Sequence, residues 1–175
     1  VYDVDFNFYK PGTISRRLDR RVSFGHSASI EEYSQRVLQD PAELDALYKD
    51  LLIGVTRFFR DPEAYELIEK KIIPQILDAI PPEEEIRVWV AGCATGEEAY
   101  SLGILFLEAC AARQREPNLK IFASDVHRES LHFAAEGCYP EASLVDMPKP
   151  RIETFFAEEV GPAGEKLFRV VARLR

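Results

Sequence analysis

The residues with the clearest chemical character surround a glycine turn at 92–98. The sequence there reads G-C-A-T-G-E-E, so that Gly92 and Gly96 open a turn and Glu97 and Glu98 follow it directly. A glycine turn between a strand and a helix commonly holds the pyrophosphate of a dinucleotide at the helix N-terminus. Two carboxylates complement the helix dipole but would repel pyrophosphate. We therefore expect a ligand with a positive end and no phosphate, such as S-adenosylmethionine, which carries a sulfonium and an ammonium group.

A second candidate is Asp125, in the segment IFASDV. It follows a predicted strand, where a carboxylate can accept hydrogen bonds from both ribose hydroxyls of an adenosine-containing ligand. Taken alone, an Asp after a strand is more often a helix cap or a turn residue. The glycine turn one strand earlier favours the ribose role.

The elements that must position these residues follow from the hydrophobic periodicity. The prediction is a strand at 86–91, a helix at 97–112, a strand at 119–124, a helix at 128–136 and, after a looser stretch, a strand at 167–172. Such alternation predicts a parallel, doubly wound sheet of the α/β class. Ligands bind such sheets at the carboxyl ends of the strands, which here are the turn at Gly92 and the residues after Ala123.

The first eighty residues read as helical. Thr13 is predicted to cap a helix that runs to about Phe24, and Ser29 with Glu32 is predicted to form a capping box for a second helix. Two more helices are predicted where an N-cap residue precedes a proline, at Asp40-Pro41 and at Asp61-Pro62. The segment DAIPPEEEI, 78–86, then breaks the pattern. We predict a helical domain over 1–80 and an α/β domain over 84–175, with a solvated turn inside one domain as the alternative.

The composition limits the classes of function. The 175 residues are 46% hydrophobic and 30% charged, which is typical of chains with packed cores. The net charge of -8 disfavours general binding to nucleic acid or to an anionic membrane. No apolar stretch reaches the roughly 18–20 residues of a membrane span, and no signal-peptide pattern is visible. We expect a cytoplasmic protein without direct membrane insertion.

Cysteine and histidine show no metal-ligand spacing. The three cysteines lie in or beside apolar segments and share no C-x-x-C spacing, so we expect buried, reduced thiols at Cys93, Cys110 and Cys138. The three histidines are also not spaced as ligands, and no metal site is expected.

Four segments carry a family likeness: FYKPGTISRRLDRRV, LLIGVTRFFRDPEAY, VWVAGCATGEEAYSL and IFASDV. Together and in this order they resemble the CheR family, the chemotaxis-receptor glutamate methyltransferases that use S-adenosylmethionine. The pairing of T-x-F-F-R with G-E-E-x-Y-S is specific. The resemblance implies a Rossmann-like class I methyltransferase domain preceded by a small all-α domain.

The resemblance also implies roles for individual residues. Thr56 and Arg60, from T-x-F-F-R, would contact the cofactor and border the active site, while Phe58 and Phe59 would serve packing. The second Glu of the G-E-E turn and the Asp after the second strand would also bind the cofactor, which points to Glu98 and Asp125. The glycines of the turn, Gly92 and Gly96, complete the expected cofactor set. For Arg60 the alternative is a solvated residue near the Asp61 cap.

One departure from the family pattern is Gly54, where the family commonly has Asn. A side-chain amide contact to the cofactor would then be absent, at a cost of about two- to tenfold in affinity. Alternatively, Gly54 serves as the left-handed C-cap of a helix that ends near Ile53.

The implied reaction is methyl transfer from S-adenosylmethionine to a receptor glutamate, giving a methyl ester and S-adenosylhomocysteine. A glutamate side chain titrates near about pH 4.3, so the nucleophile is already ionised at neutral pH and needs no general base. Arg60 is the candidate catalytic residue, since a guanidinium group can orient the substrate carboxylate.

A basic cluster near the N-terminus is the candidate docking surface. On a helix, Ile14, Leu18 and Val22 form an apolar stripe. Four arginines lie away from it: Arg16 and Arg20 opposite the stripe, and Arg17 and Arg21 beside it. The family uses its N-terminal helices to meet the acidic methylation helices of chemoreceptors, so the resemblance implies docking there. A solvated face is the alternative.

We expect the chain to be a fragment with weak cofactor binding and little activity alone, because about three strands are predicted where methyltransferases of this class have seven. The competing function is a non-catalytic module that binds receptor or senses cofactor. A dinucleotide oxidoreductase is a more distant alternative, since the third glycine of G-x-G-x-x-G is missing. The oligomeric state is not predicted.

Overall fold

The computed structural model describes residues 4–25, 27–52, 54 and 56–175. The chain divides into two compact units, Val1–Ile53 and Gly54–Arg175. The predicted division at 81–83 therefore lies too far along the chain. The α/β class, with an all-helical unit first, is confirmed.

In its described residues the first unit has three helices after a short 3-10 turn at Phe6–Phe8. They are α1 (Pro11–Phe24), α2 (Ile30–Gln39) and α3 (Pro41–Leu51). Because proline suits the first helical position, α1 begins at Pro11. The predicted cap at Thr13 is therefore wrong, and Thr13 lies inside the helix.

The caps of α2 and α3 are formed by the predicted side chains. Ser29 Oγ accepts a hydrogen bond from the N–H of Glu32 at 3.2 Å. The Glu32 carboxylate accepts from the N–H of Ala28 at 2.7 Å, one residue before the donor expected in a capping box. Asp40 Oδ1 accepts hydrogen bonds from the N–H groups of Ala42 and Glu43, which lie in the first turn of α3.

A charged network is enclosed between the three helices of this unit. Glu43 is only 9% exposed, and its Oε1 accepts hydrogen bonds from Arg21 Nη2 and from the Tyr33 hydroxyl, both at 2.7 Å. Burial raises the pKa of Glu43, but the hydrogen bonds from Arg21 and Tyr33 and the charges of Arg21 and Arg36 outweigh it, so the net pKa is lowered. Arg21 is thus a structural residue of this unit, and the prediction that it faces a docking partner is wrong because its guanidinium group is bound to Glu43.

The second unit contains five helices and five strands in the described residues. In chain order they are α4 (Pro62–Leu67), a π-helical turn (Ile68–Ile72), α5 (Ile73–Ala79), β1 (Ile86–Ala91), α6 (Glu97–Ala112), β2 (Leu119–Ser124), α7 (Arg128–Glu136), β3 (Cys138–Pro140), a 3-10 turn (Glu141–Leu144), α8 (Lys149–Phe155), β4 (Phe156–Val160), β5 (Lys166–Val170) and a 3-10 turn (Ala172–Leu174). The predicted bounds of β1, α6, β2 and α7 are confirmed.

Two separate sheets are formed from these strands. β1 and β2 pair in parallel, from Ile86 opposite Leu119 to Ala91 opposite Ser124. β3, β5 and β4 form an antiparallel sheet in that order. The strand predicted at 167–172 is β5, and it lies in the antiparallel sheet and does not extend the parallel one.

α5 belongs to the second unit because it shares a hydrophobic core with β1 and α6. Ile73 and Leu77 of α5 are buried in one core with Ile86 of β1 and with α6. The proline segment after α5 is a pinned turn and not a linker, because the Arg115 guanidinium donates to the carbonyls of Ile80 and Pro81 at 2.8 and 2.9 Å. The solvated-turn alternative for 78–86 therefore describes this segment.

Gly54 does not take the predicted left-handed cap conformation. α3 ends at Leu51, and Leu52 is its extended C-cap residue. Gly54 is not among the glycines with positive φ. Ile53, named in the same prediction, lies outside the described residues.

Candidate functional site

The glycine turn joins β1 to α6 at the carboxyl end of the parallel sheet. The N–H groups of Gly92 and Cys93 both donate to the Ser124 carbonyl, at 2.7 and 3.0 Å, which holds the start of the turn to the end of β2. Gly92 and Gly96 have φ of 74° and 96°, a region that only glycine enters readily. The turn therefore needs glycine at both positions for its backbone path.

The two glycines differ in their surroundings. A Cβ on Gly96 would lie 2.9 Å from Ala134 Cβ and 3.0 Å from the Tyr139 hydroxyl oxygen, so Gly96 permits close packing under the turn. A Cβ on Gly92 would meet nothing within 4 Å. Open space beside the backbone of Gly92 is what a ligand at the strand end requires.

Asp125 is oriented by two backbone amides. Its Oδ2 accepts from the N–H of Ala94 and its Oδ1 from the N–H of His127, both at 2.8 Å. The bond to His127 is the turn role that the sequence left open, and the bond to Ala94 connects Asp125 to the glycine turn. Because each carboxylate oxygen has two acceptor sites, one site on each oxygen remains for a ligand hydroxyl.

The two adjacent glutamates face different surroundings. Glu97 is 6% exposed and accepts a hydrogen bond from Thr95 Oγ1 at 2.6 Å. Glu98 is exposed, and no hydrogen bond among the described residues engages its carboxylate. Of the two, Glu98 is thus the carboxylate that can receive a cationic group of a ligand.

The T-x-F-F-R segment is fixed to α6 and to the antiparallel sheet by its two phenylalanines. Phe58 is 3% exposed and packs edge-on against Tyr139, with ring centroids 4.9 Å apart. The N–H of Phe59 donates to Ser101 Oγ at 3.1 Å, and Ser101 Oγ donates to the Glu97 carbonyl at 2.6 Å. The packing role predicted for both phenylalanines is confirmed.

The two polar residues of this segment differ in exposure. Thr56 is half-buried and lines a cavity of about 250 Å³, together with Glu97 and the segment 142–147. Arg60 is exposed, and its backbone carbonyl accepts from Arg57 Nη2 at 3.0 Å. Gly92, Glu98 and Asp125 are not among the residues that line this cavity.

The turn is surrounded by negative charge. Burial raises the pKa of the Cys93 thiol, and the charges of Asp125, Glu98 and Glu97 raise it further. Three carboxylates therefore act on one buried thiol, which stays protonated and unreactive at neutral pH. This charge would oppose pyrophosphate and would attract a sulfonium or an ammonium group.

All three cysteines are free, with Cys93 and Cys110 buried and Cys138 half-buried. Within the described residues, no group of three or more His, Cys, Asp or Glu side chains is placed to hold a metal ion. The helices of the described ranges lack the combination of length and apolar character that a membrane crossing requires.

The four arginines of α1 that the sequence predicted to face a partner separate into exposed and half-buried pairs. Arg16 and Arg20 are exposed, whereas Arg17 and Arg21 are half-buried beside the apolar stripe. The Arg20 guanidinium lies over the ring of Phe24, 5.4 Å from its centroid. Arg16 and Arg20 are thus the arginines of the cluster that are most accessible to a partner.

Several residues that shape the site were missed by sequence reasoning. Ser101 lies one helical turn after Glu97, and that four-residue spacing was a usable signal. Tyr139 lies in the stretch read as loose, where no periodicity marked it.

Comparison with known proteins agrees with this division of the chain. Residues 1–52 match the family model described as "CheR methyltransferase, all-alpha domain", and residues 54–171 match "CheR methyltransferase, SAM binding domain". The boundary between the matches coincides with that between the two compact units.

Two of the three relatives described next are named chemotaxis methyltransferases. The chain is 33% identical over 166 residues to "Chemotaxis protein methyltransferase 2" of Pseudomonas aeruginosa, which covers 95% of this chain and 57% of the relative. It is 35% identical over 96 residues to "Chemotaxis protein methyltransferase" of Borreliella burgdorferi, covering 54% of this chain and 34% of the relative. An uncharacterised 104.1 kDa protein of Rhodobacter capsulatus is 40% identical over 159 residues, covering 91% of this chain and 17% of that protein.

The chain thus spans about half or less of the length of these curated relatives. The two family models nevertheless cover nearly all of its residues, and they fall on the helical unit and on the unit that carries the glycine turn. The chain belongs to the CheR methyltransferase family.

Proposed function

We propose that the protein transfers methyl groups from S-adenosylmethionine to glutamate side chains of chemoreceptors. The observation that carries the proposal is the charge and geometry of the glycine turn, where the exposed Glu98 and the oriented Asp125 lie at the carboxyl ends of β1 and β2. S-adenosylmethionine, when bound there, supplies an electrophilic methyl group.

The residues at the carboxyl ends of β1 and β2 have separate tasks in this proposal. Glu98 binds the ammonium group of the cofactor, since its carboxylate is exposed and has no hydrogen bond among the described residues. Asp125 accepts from the ribose hydroxyls with the acceptor sites that Ala94 and His127 leave available. The backbone at Gly92 leaves room for the ligand.

Residues of the T-x-F-F-R segment orient the reactants. Thr56 borders the cofactor, and Arg60 binds the carboxylate of the substrate glutamate with its guanidinium group. The substrate is ionised at neutral pH, so the chain needs to position it and does not need to remove a proton. Positioning and electrostatics are then the sources of rate.

Acidic methylation helices of chemoreceptors are the proposed partners. The exposed Arg16 and Arg20 on α1 provide positive charge in a chain whose net charge is -8. Opposite charge on the two surfaces speeds association and fixes the partner.

The test is transfer of tritiated methyl groups to a receptor cytoplasmic fragment, with the protein expressed from its full natural coding sequence. We expect base-labile label at receptor glutamates and none on a fragment whose methylation sites are Gln. Glu98→Gln should raise KM for S-adenosylmethionine, whereas the neighbouring Glu97→Gln, which keeps an acceptor for Thr95, should change it much less. Cofactor binding without transfer would identify a non-catalytic module instead.

A further inference from the structure

Tyr139 connects two chain segments that lie far apart in sequence. It is 0% exposed on β3, and its hydroxyl donates to the carbonyl of Thr95 at 2.7 Å. Thr95 is in the glycine turn, immediately before Gly96. The hydroxyl therefore holds the turn at Thr95, whereas Asp125 holds it at the neighbouring Ala94.

The ring of Tyr139 contacts the T-x-F-F-R segment. It packs edge-on against Phe58, which is two residues from Thr56. Phe133 of α7 also packs edge-on against this ring, with centroids 5.4 Å apart. One side chain thus contacts the turn through its hydroxyl and the T-x-F-F-R segment through its ring.

The turn is packed closely on this hydroxyl. A Cβ on Gly96 would lie 3.0 Å from the Tyr139 oxygen, so there is no room for a side chain between the turn and this hydroxyl. Burial raises the pKa of Tyr139, and the nearby charge of Glu97 raises it further. The hydroxyl therefore remains protonated and keeps donating to Thr95 at neutral pH.

We propose that Tyr139 is a positioning residue that sets the cofactor-binding turn and the T-x-F-F-R segment at the spacing required for binding. The inference rests on the proposed function, because it assumes that the turn holds S-adenosylmethionine. Tyr139 acts through Thr95 and Phe58.

A neighbouring tyrosine provides a matched control. The Tyr100 hydroxyl also donates to a backbone carbonyl, that of Ala134, at 2.8 Å. Its ring packs edge-on against Tyr139 at 6.2 Å. Tyr139→Phe and Tyr100→Phe each remove one hydroxyl and one hydrogen bond to a carbonyl, but only the first removes a bond to the glycine turn.

The experiment compares the two variants with the unsubstituted chain by calorimetric titration with S-adenosylhomocysteine, well below their melting temperatures. We expect similar decreases in Tm for both variants, and a Kd that rises about three- to tenfold for Tyr139→Phe but not for Tyr100→Phe. Without ligand, amide hydrogen exchange at 94–96 should accelerate only in Tyr139→Phe.

Two outcomes overturn different parts of the account. If the unsubstituted chain binds and both variants bind with equal Kd, the positioning role of Tyr139 is wrong while the proposed function stands. If the unsubstituted chain fails to bind S-adenosylhomocysteine, the proposed cofactor site and this inference fall together.

Discussion

Asp125 and Ala94 are joined by a hydrogen bond of 2.8 Å, from the Ala94 N–H to Asp125 Oδ2, across thirty-one positions of sequence. The bond fastens the end of β2 to the turn that follows β1. Ala94 also has a φ of 46°, an uncommon value for a residue with a side chain. Asp125, the residue proposed to bind the ribose, is thus held directly to the glycine turn.

Replacing Asp125 by Ala should therefore weaken both ligand binding and stability. Loss of hydrogen bonds to a charged group costs about 1.5–3 kcal/mol, so the Kd for S-adenosylhomocysteine should rise about ten- to a hundredfold. Tm should also fall, because the N–H groups of Ala94 and His127 lose their acceptor. Calorimetric titration and thermal unfolding measure the two effects.

A ligand lacking one ribose hydroxyl separates the two effects of Asp125→Ala. Asp125→Ala should reduce the affinity for the 2′-deoxy analogue less than the affinity for S-adenosylhomocysteine. The analogue has no 2′-hydroxyl, so it lacks one of the two hydrogen bonds to Asp125 even in the wild type. Asp78→Ala, which removes an exposed carboxylate paired with Arg113, serves as the control and should leave Kd unchanged. An unaltered Kd in Asp125→Ala would show that the ribose assignment is wrong.

Alanine at the two glycines of the turn should have unequal effects on stability. Both substitutions put a side chain at positive φ, which costs about 1–3 kcal/mol. Gly96→Ala also forces a Cβ to 2.9 Å from Ala134, whereas the Cβ in Gly92→Ala enters open space. Urea unfolding should show that Gly96→Ala is more destabilising by roughly 1 kcal/mol or more. Equal free energies of unfolding would contradict the close packing under Gly96.

The helical unit should lose stability in acid through Glu43. Because the pKa of Glu43 is lowered in the folded state, its contribution is complete above the unfolded pKa of about 4.3 and disappears as the pH falls through the lower folded pKa. Glu43→Gln should lower the free energy of unfolding near neutral pH and flatten its decline below about pH 5. Unfolding curves at several pH values measure this, and identical pH profiles for the variant and the wild type would refute it.

Reversal of charge at Arg16 and Arg20 should slow docking and leave the fold intact. Both side chains are exposed, and surface substitutions usually change stability by about 0.5 kcal/mol or less. The Arg16→Glu, Arg20→Glu double variant should methylate receptor more slowly and with less salt dependence, at unchanged cofactor affinity. Receptor methylation rates across a salt series measure this. A salt response like that of the wild type would mean that the cluster is only a solvated face.

The sequence was sufficient for the elements around the turn because their signals are local. β1, α6, β2 and α7 are each specified by an apolar run with glycine or polar residues at its ends, and the structure has the predicted bounds. The capping roles of Ser29 and Asp40 also depend only on residues within one helical turn.

What the sequence did not predict depends on contacts between distant residues. The proline segment after α5 resembles a linker locally, but it is held by Arg115 from beyond α6. Arg21 looks like a surface residue until Glu43 and Tyr33 fold against it. Tyr139 has no periodic context, and its role follows only from the packing of β3 beneath the turn.

The most direct test of the account is calorimetric titration of the chain with S-adenosylhomocysteine, with NAD+ titrated in parallel. The carboxylates at Glu98 and Asp125 and the open backbone at Gly92 predict weak but measurable binding of S-adenosylhomocysteine at one site and no heat with NAD+. Binding of NAD+ without S-adenosylhomocysteine, or no binding of S-adenosylhomocysteine at millimolar concentration, would contradict the assignment of this turn as a methyl-donor site.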